Sequence, residues 1–150
     1  MATWDSIMPD AFHLRLAHWP EDTAMLRQVR ESVFILEQQV PADLEWDGID
    51  ADCVHALAID PGGRAIGTGR LLPDGHIGRM AVLREWRNKG VGTRLMEVLM
   101  AEARRRNYPR LVLNAQVSAL RFYARFGFVA RGDEFIEAGI PHLEMVMELL

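Results

Sequence analysis

The chain has one cysteine, Cys53, so no intramolecular disulfide framework can hold it together. This fits a reducing cytoplasm, the location expected for it. No apolar run approaches the roughly 20 residues needed to span a bilayer. Residues 1–10 have neither a basic start nor an apolar stretch and do not read as a signal peptide. The net charge of −4 lacks the broad basic surface of a nucleic-acid binder. Repeats, low-complexity tracts and linkers are missing as well, and no metal site is expected. What is present is 49% hydrophobic and 25% charged over 150 residues, the composition and size of one globular domain. That domain is expected to cover residues 1–150, with a core from about residue 12.

Residues 12–16 alternate apolar and polar and read as a half-buried strand. Pro20, Glu21 and Asp22 read as a helix start, with carboxylates favouring the first turn. Leu26, Val29, Val33 and Leu36 then mark one helical face to about Gln38, and Pro41 stops any continuation. Residues 41–52 carry Asp43, Glu45, Asp47, Asp50 and Asp52 around Trp46 and are expected to form a loop or a short irregular helix. Strands at 54–59, 65–72 and 77–83, separated by Pro61-Gly62-Gly63 and Pro73-Asp74-Gly75, give an antiparallel meander. Val91, Leu95, Val98 and Leu99 stripe a helix that ends near Asn107 and Pro109. Residues 111–113 form a wholly apolar, buried strand. A short helix over 118–126 closes on Gly127 at its C′ position. Phe128 and Val129 restart extended structure, and 142–149 is the last strand. The order β-α-β-β-β-α-β-α-β-β implies an α+β, or mixed α/β, domain: one mixed sheet with helices on both faces.

Between the third meander strand and the helix that follows lie Arg87, Asn88, Lys89, Gly90, Val91 and Gly92. Glycine lets backbone N–H groups approach a ligand closely, and the helix start adds unsatisfied donors and a positive dipole end. Between Arg84 and Arg94 four cations face one anion, Glu85. These features describe a phosphate cradle. The first glycine of Gly-x-Gly-x-x-Gly is missing, because Asn88 stands two before Gly90, and so is the Lys-Ser/Thr ending of a P-loop. ATP or nicotinamide binding therefore has little support.

Arg-x-x-Gly-x-Gly between a strand and a helix resembles the pyrophosphate-binding signature of the GNAT superfamily of acyl-CoA-dependent N-acetyltransferases. About 30 residues on, Arg121-Phe122-Tyr123-Ala124-Arg125-Phe126-Gly127-Phe128 resembles its second signature. Four further segments are similar to the ElaA-like branch: Glu45-Trp46-Asp47-Gly48, Gly78-Arg79-Met80-Ala81-Val82, Leu113-Asn114-Ala115-Gln116 and Gly139-Ile140-Pro141-His142. The resemblance implies a central, mostly antiparallel sheet splayed at the cofactor site. It also implies an enzyme that moves an acetyl group from acetyl-CoA to a primary amine by direct attack, the acceptor being a small molecule or a peptide. The main chain at Met80, Ala81 and Val82 would pair with the pantetheine arm and hold the oxyanion. N–H groups from Lys89 to Thr93 would meet the diphosphate, with Arg87 or Lys89 in support. The alternative is a non-catalytic acyl-CoA-binding domain, and a homodimer is left open.

The same resemblance places a tyrosine at position 123 as the general acid. A departing thiolate has a parent thiol pKa of about 8.5 against about 10 for a phenol, so a positioned phenol can hydrogen-bond or protonate the sulfur. Ala119 and Gly127, four residues either side, are expected on the same helix face, leaving room for a ligand beside the ring. Asn114, after the buried strand, could contact pantetheine or cap the next helix, and Ser118 has the same two readings. The strand at 77–83 carries no carboxylate to serve as base. Candidates elsewhere are Glu37, Glu45, Asp47, His55, His76 and His142. Of these His142 has the best case, because Pro141 rigidifies its approach and an imidazole titrates near neutrality. The acidic stretch with Trp46 could attract a cationic amine.

Overall fold

A computed structural model describes residues 11–150; the expectation for residues 1–10 lies outside them. The sheet starts with β1 (His13–Leu16), β2 (Val54–Ile59), β3 (Ala65–Leu71) and β4 (His76–Val82), each antiparallel to the one before. Beside β4 lies β5 (Arg110–Gln116), and β6 (Val129–Glu137) and β7 (Ile140–Glu148) complete the order β1-β2-β3-β4-β5-β7-β6. Only β4 and β5 are parallel, and a parallel pair needs a crossover. That crossover is α3 (Val91–Arg105), whose Val91, Leu95, Met96, Leu99 and Ala103 stripe is buried.

The helices cover both faces. A Cβ at Gly67 would lie 2.9 Å from Val91 Cγ1, so this side of β3 faces α3. Alternation along the strand turns Ile66, Thr68 and Arg70 the other way, toward α1 (Thr23–Arg30). The expected single helix to Gln38 is in fact α1 followed by a wider π-helical coil, Glu31–Glu37, in which Gln38 N–H reaches back to Val33 O at 3.0 Å. The wider coil rotates the apolar stripe. Val33 and Phe34 stay inside, while Leu36, expected on the buried face, is 68% exposed.

Other departures have local causes. The first helix begins at Thr23 with Asp22 as its N-cap, and the Asp22 carboxylate is taken by Arg15, at 2.7 and 3.0 Å, and by the His18 N–H at 2.7 Å. Residues 41–52 hold α2 (Ala42–Glu45) and a 3-10 turn, Asp50–Asp52. β5 is longer than 111–113 because it pairs with β7 from Arg110↔Glu148 to Gln116↔His142. The helix expected over 118–126 is a 3-10 turn, Val117–Ala119, and α4 (Leu120–Ala124).

Two irregularities open the sheet where the site forms. β4 and β5 pair only at His76↔Val112 and Ile77↔Leu113 and diverge beyond, which is the splay the resemblance implied. Against β3, Arg70↔Gly78 is followed by Thr68↔Ala81, so Arg79 and Met80 stand opposite the single residue Gly69. This is a β-bulge, and Arg79 within it has a left-handed φ of +51°.

Candidate active site

Where β4 and β5 part, a cleft of about 1230 Å³ opens. That exceeds a typical small-ligand pocket of about 300–1,000 Å³ and has room for two molecules. Its lining brings together every cofactor-site residue expected from sequence except Lys89: Met80, Ala81, Val82, Arg87, Asn88, Gly90, Val91, Gly92, Thr93, Asn114 and Tyr123. His142 lines it too.

The cradle is built by backbone conformation. Asn88 (φ +62°) and Gly90 (φ +86°) are both left-handed, and Gly90 is the N-cap of α3. Nothing lies within 4 Å of where a Gly90 Cβ would sit, so that side is open. Arg94 N–H already bonds Gly90 O at 3.1 Å; the N–H groups of Val91, Gly92 and Thr93 precede the first intrahelical bond and are the orphans of the turn. At Gly92 a Cβ would lie 3.2 Å from Phe122 Cζ, so a bare backbone lets α4's aromatic ring close against the helix start. Arg87 is already spent: it grips Glu37 at 2.7 and 2.8 Å and donates Nε–H to Val82 O at 3.0 Å. The Arg87 guanidinium holds the Glu37 carboxyl below its ordinary range, which makes that carboxylate a poor base. Arg87 thus ties the end of β4 to the π-helical coil and fixes the cradle's entry.

Tyr123 is set edge-on to Phe122 at 5.0 Å and Phe128 at 6.3 Å between ring centres. Burial pushes its phenol up to about 12. Ala119 lines the cleft beside it, but Gly127 does not: a Cβ there would lie 3.2 Å from Met147 Sδ. Asn114 lies inside β5 opposite Glu144 and caps no helix, and the Ser118 side chain makes no cap bond either. His142 is 7% exposed and stacks on Phe135 at 5.8 Å. Its Nδ1 is 2.6 Å from Ile140 O. A carbonyl only accepts, so Nδ1 carries a proton, and Nε2 lies 3.7 Å from Glu137 Oε2. Of the remaining base candidates His55 does not line the cleft: it is buried, bonded to Asp50 O at 2.8 Å and stacked on Trp19.

Three of the five carboxylates in the acidic stretch are already paired. Glu45 pairs with Arg30 at 2.6 Å, Asp50 with Arg30 at 2.8 Å and Arg70 at 3.0 Å, and Asp47 with Arg70 at 3.0 Å and Arg79 at 3.2 Å. The Trp46 ring lies against the Arg27 and Arg30 guanidiniums at 4.9 and 4.8 Å. Burial, outweighing Arg30 and Arg79, raises the Glu45 carboxyl. Sequence reasoning missed Arg30 and Arg70 altogether. Gln116, part of a segment that carried the resemblance, donates its Nε2 hydrogen to Gln38 Oε1 at 3.1 Å and joins the end of β5 to the coil's end.

A splayed parallel pair, an N–H cradle at the following helix and an aromatic helix packed on it coincide with a recognised family. A profile described as an acetyltransferase (GNAT) domain matches residues 23–149. The chain belongs to the GNAT acetyltransferase family. Its relatives include the uncharacterized N-acetyltransferase YjcF of Bacillus subtilis, 39% identical over 80% of this chain and 88% of that protein. An acyl-CoA N-acyltransferase from Pseudomonas aeruginosa shares the structure at a TM-score of 0.80 and 31% identity, covering 91% of this chain and 99% of the other. Escherichia coli ElaA does so at 0.78 and 26%, with the same coverage. As a GNAT member the protein is an acyltransferase that uses acyl-CoA. The residues present fit that cofactor: the open side of Gly90 and the orphan N–H groups of α3 suit a diphosphate, and the inner edges of β4 and β5 suit an extended arm with amide groups. Among the described residues no helix is long and apolar enough to cross a membrane, and no group of three metal-ligating side chains forms.

Proposed function

We propose that residues 1–150 act as one N-acetyltransferase domain that moves an acetyl group from acetyl-CoA to a primary amine by direct attack. Bound acetyl-CoA would supply an activated thioester; the rest of the work falls to this chain. The N–H groups at Val91, Gly92 and Thr93, with Lys89, hold the diphosphate, and Asn88 and Gly90 shape the turn that presents them. Main-chain groups of Met80, Ala81 and Val82, beyond the last pair with β5, hold the pantetheine arm, and an N–H among them donates to the oxygen on which negative charge builds. Asn114 faces the same arm from β5. His142 Nε2 takes a proton from the acceptor's ammonium, and the freed amine attacks. Tyr123 donates its hydroxyl hydrogen to the sulfur as the carbon–sulfur bond breaks, and the second proton shed by the nitrogen restores the phenol.

The observation that carries this reading is Tyr123 in the cleft, its ring held edge-on between Phe122 and Phe128. Its phenol, pushed up by burial, keeps its proton at every working pH, so it is always a donor and never a base. Tyr123→Phe should lower kcat about 100-fold or more with little change in coenzyme A affinity. An acetyl-CoA-dependent thiol-release screen over amines, run on both proteins, measures this. Equal turnover by the two removes Tyr123 from the mechanism. Tight coenzyme A binding without thiol release from any amine supports the non-catalytic domain instead.

A further inference from the structure

The three arginines beneath the acceptor side of the cleft spend their donors differently. Arg30 uses Nε and Nη2 on the Glu45 side chain and carbonyl and Nη1 on Asp50. Arg70 uses Nη1 and Nη2 on Asp47 and Asp50, and its buried Nε has no hydrogen bond. Arg79 donates through Nη2 alone: to the carbonyls of Leu44 and Glu45 at 3.1 and 3.4 Å and to Asp47 at 3.2 Å. Its buried Nε lies 3.3 Å from Glu45 Oε1 without hydrogen-bond geometry. Its Nη1 has no hydrogen bond among the described residues and, unlike Nε, is not sealed from the cleft. The Arg79 side chain is 26% exposed, against 5% for Arg70 and 2% for Arg30.

Position and charge sharpen this. Arg79 immediately precedes Met80 in the bulge, and its Nη2 contacts fix the guanidinium, so Nη1 is a rigid donor beside the strand that receives the thioester. The three guanidiniums are matched by three carboxylates, Glu45, Asp47 and Asp50, so the layer is neutral. An incoming ammonium finds no spare anion there. An incoming carboxylate finds an open pair of N–H donors.

We propose that Arg79 recognises the acceptor and that the acceptor is an amine that also carries a carboxylate, held at Arg79 Nη1 with its amino group toward Met80, Ala81 and Val82. Val33, Phe34, Val40 and Leu44, on the same side of the cleft, offer apolar contact to whatever links the two groups. Burial, with help from Arg70 and Arg30, lowers the Arg79 pKa against the pull of Glu45 and Asp47. This inference rests on the acyl transfer to amines proposed above.

The test uses matched pairs in the thiol-release assay: glycine, β-alanine, γ-aminobutyrate and phenylalanine, each against its carboxamide. The carboxylate should exceed its amide by about 10- to 100-fold in kcat/KM, mainly through KM, the scale of one hydrogen bond to a charged group. Arg79→Gln should erase that preference and Arg79→Lys restore part of it, with circular-dichroism melts showing that both variants fold. Amides as good as carboxylates, an equal fall on both in Arg79→Gln, or amide turnover with no carboxylate accepted overturns the inference alone. Silence from every amine in a protein that binds coenzyme A by calorimetry overturns it together with acyl transfer to amines.

Discussion

At the scale of single residues the site works by removing options. The carbonyl of Ile140 fixes which nitrogen of His142 holds the proton, so only Nε2 is left to act as a base. Glu37 is taken from the list of bases by Arg87, a partner 50 residues away. The expected consequence is specific to an amine acceptor. His142→Gln should lower kcat about 100-fold near neutrality. The deficit should shrink as pH rises toward about 10, where an alkyl amine loses its proton to solvent unaided. A pH series of kcat for both proteins checks this, and a deficit that stays constant with pH would remove His142 from proton transfer.

At the scale of elements, the entry to α3 is one object made of a turn, a helix end and a neighbouring helix. Gly90→Asp and Gly90→Asn both place a side chain at a φ of +86°, where Asn and Asp are the best tolerated. Space is open at that point, so both variants should fold. Only the aspartate adds a negative charge where a diphosphate docks. Calorimetry should show coenzyme A affinity falling at least about 100-fold in Gly90→Asp and far less in Gly90→Asn. This turn was legible in the sequence because glycine has few reasons to recur beside cations at a helix start. The meander and α3 were legible too, since Pro-Gly turns and a helical stripe are local signals. The π-helical coil was not: the same apolar spacing serves either helix until hydrogen bonds reach one residue further, which is what turned Leu36 outward. Nor was the arginine layer, whose pairs join positions 15 to 34 residues apart on two helices, a loop and two strands. A charge run shows its own sign, not what answers it across the fold.

At the scale of the whole molecule, stability should have an acid limb with an assigned cause. Arg15 holds the Asp22 carboxyl down at about 2, and Arg105 and Arg106 hold that of Glu102 at about 2. A carboxyl with a depressed folded pKa stabilises above its unfolded value, near 4, and loses that contribution as pH falls through the folded one. The melting temperature should therefore drop between about pH 4 and pH 2. Asp22→Asn should melt lower at neutral pH and lose less on acidification, which a set of thermal melts will show. The parting of β4 from β5 also bears on the molecule as a whole. A seven-stranded open sheet ordinarily has two edges, here β1 and β6, but among the described residues this one has four, because β4 and β5 each expose backbone along part of their length inside the cleft. Internal edges accept any extended chain, including a segment of another molecule. Acyl-CoA should therefore serve the protein as a solubility factor as well as a substrate, and a preparation stripped of it should self-associate at concentrations where the loaded one stays monodisperse.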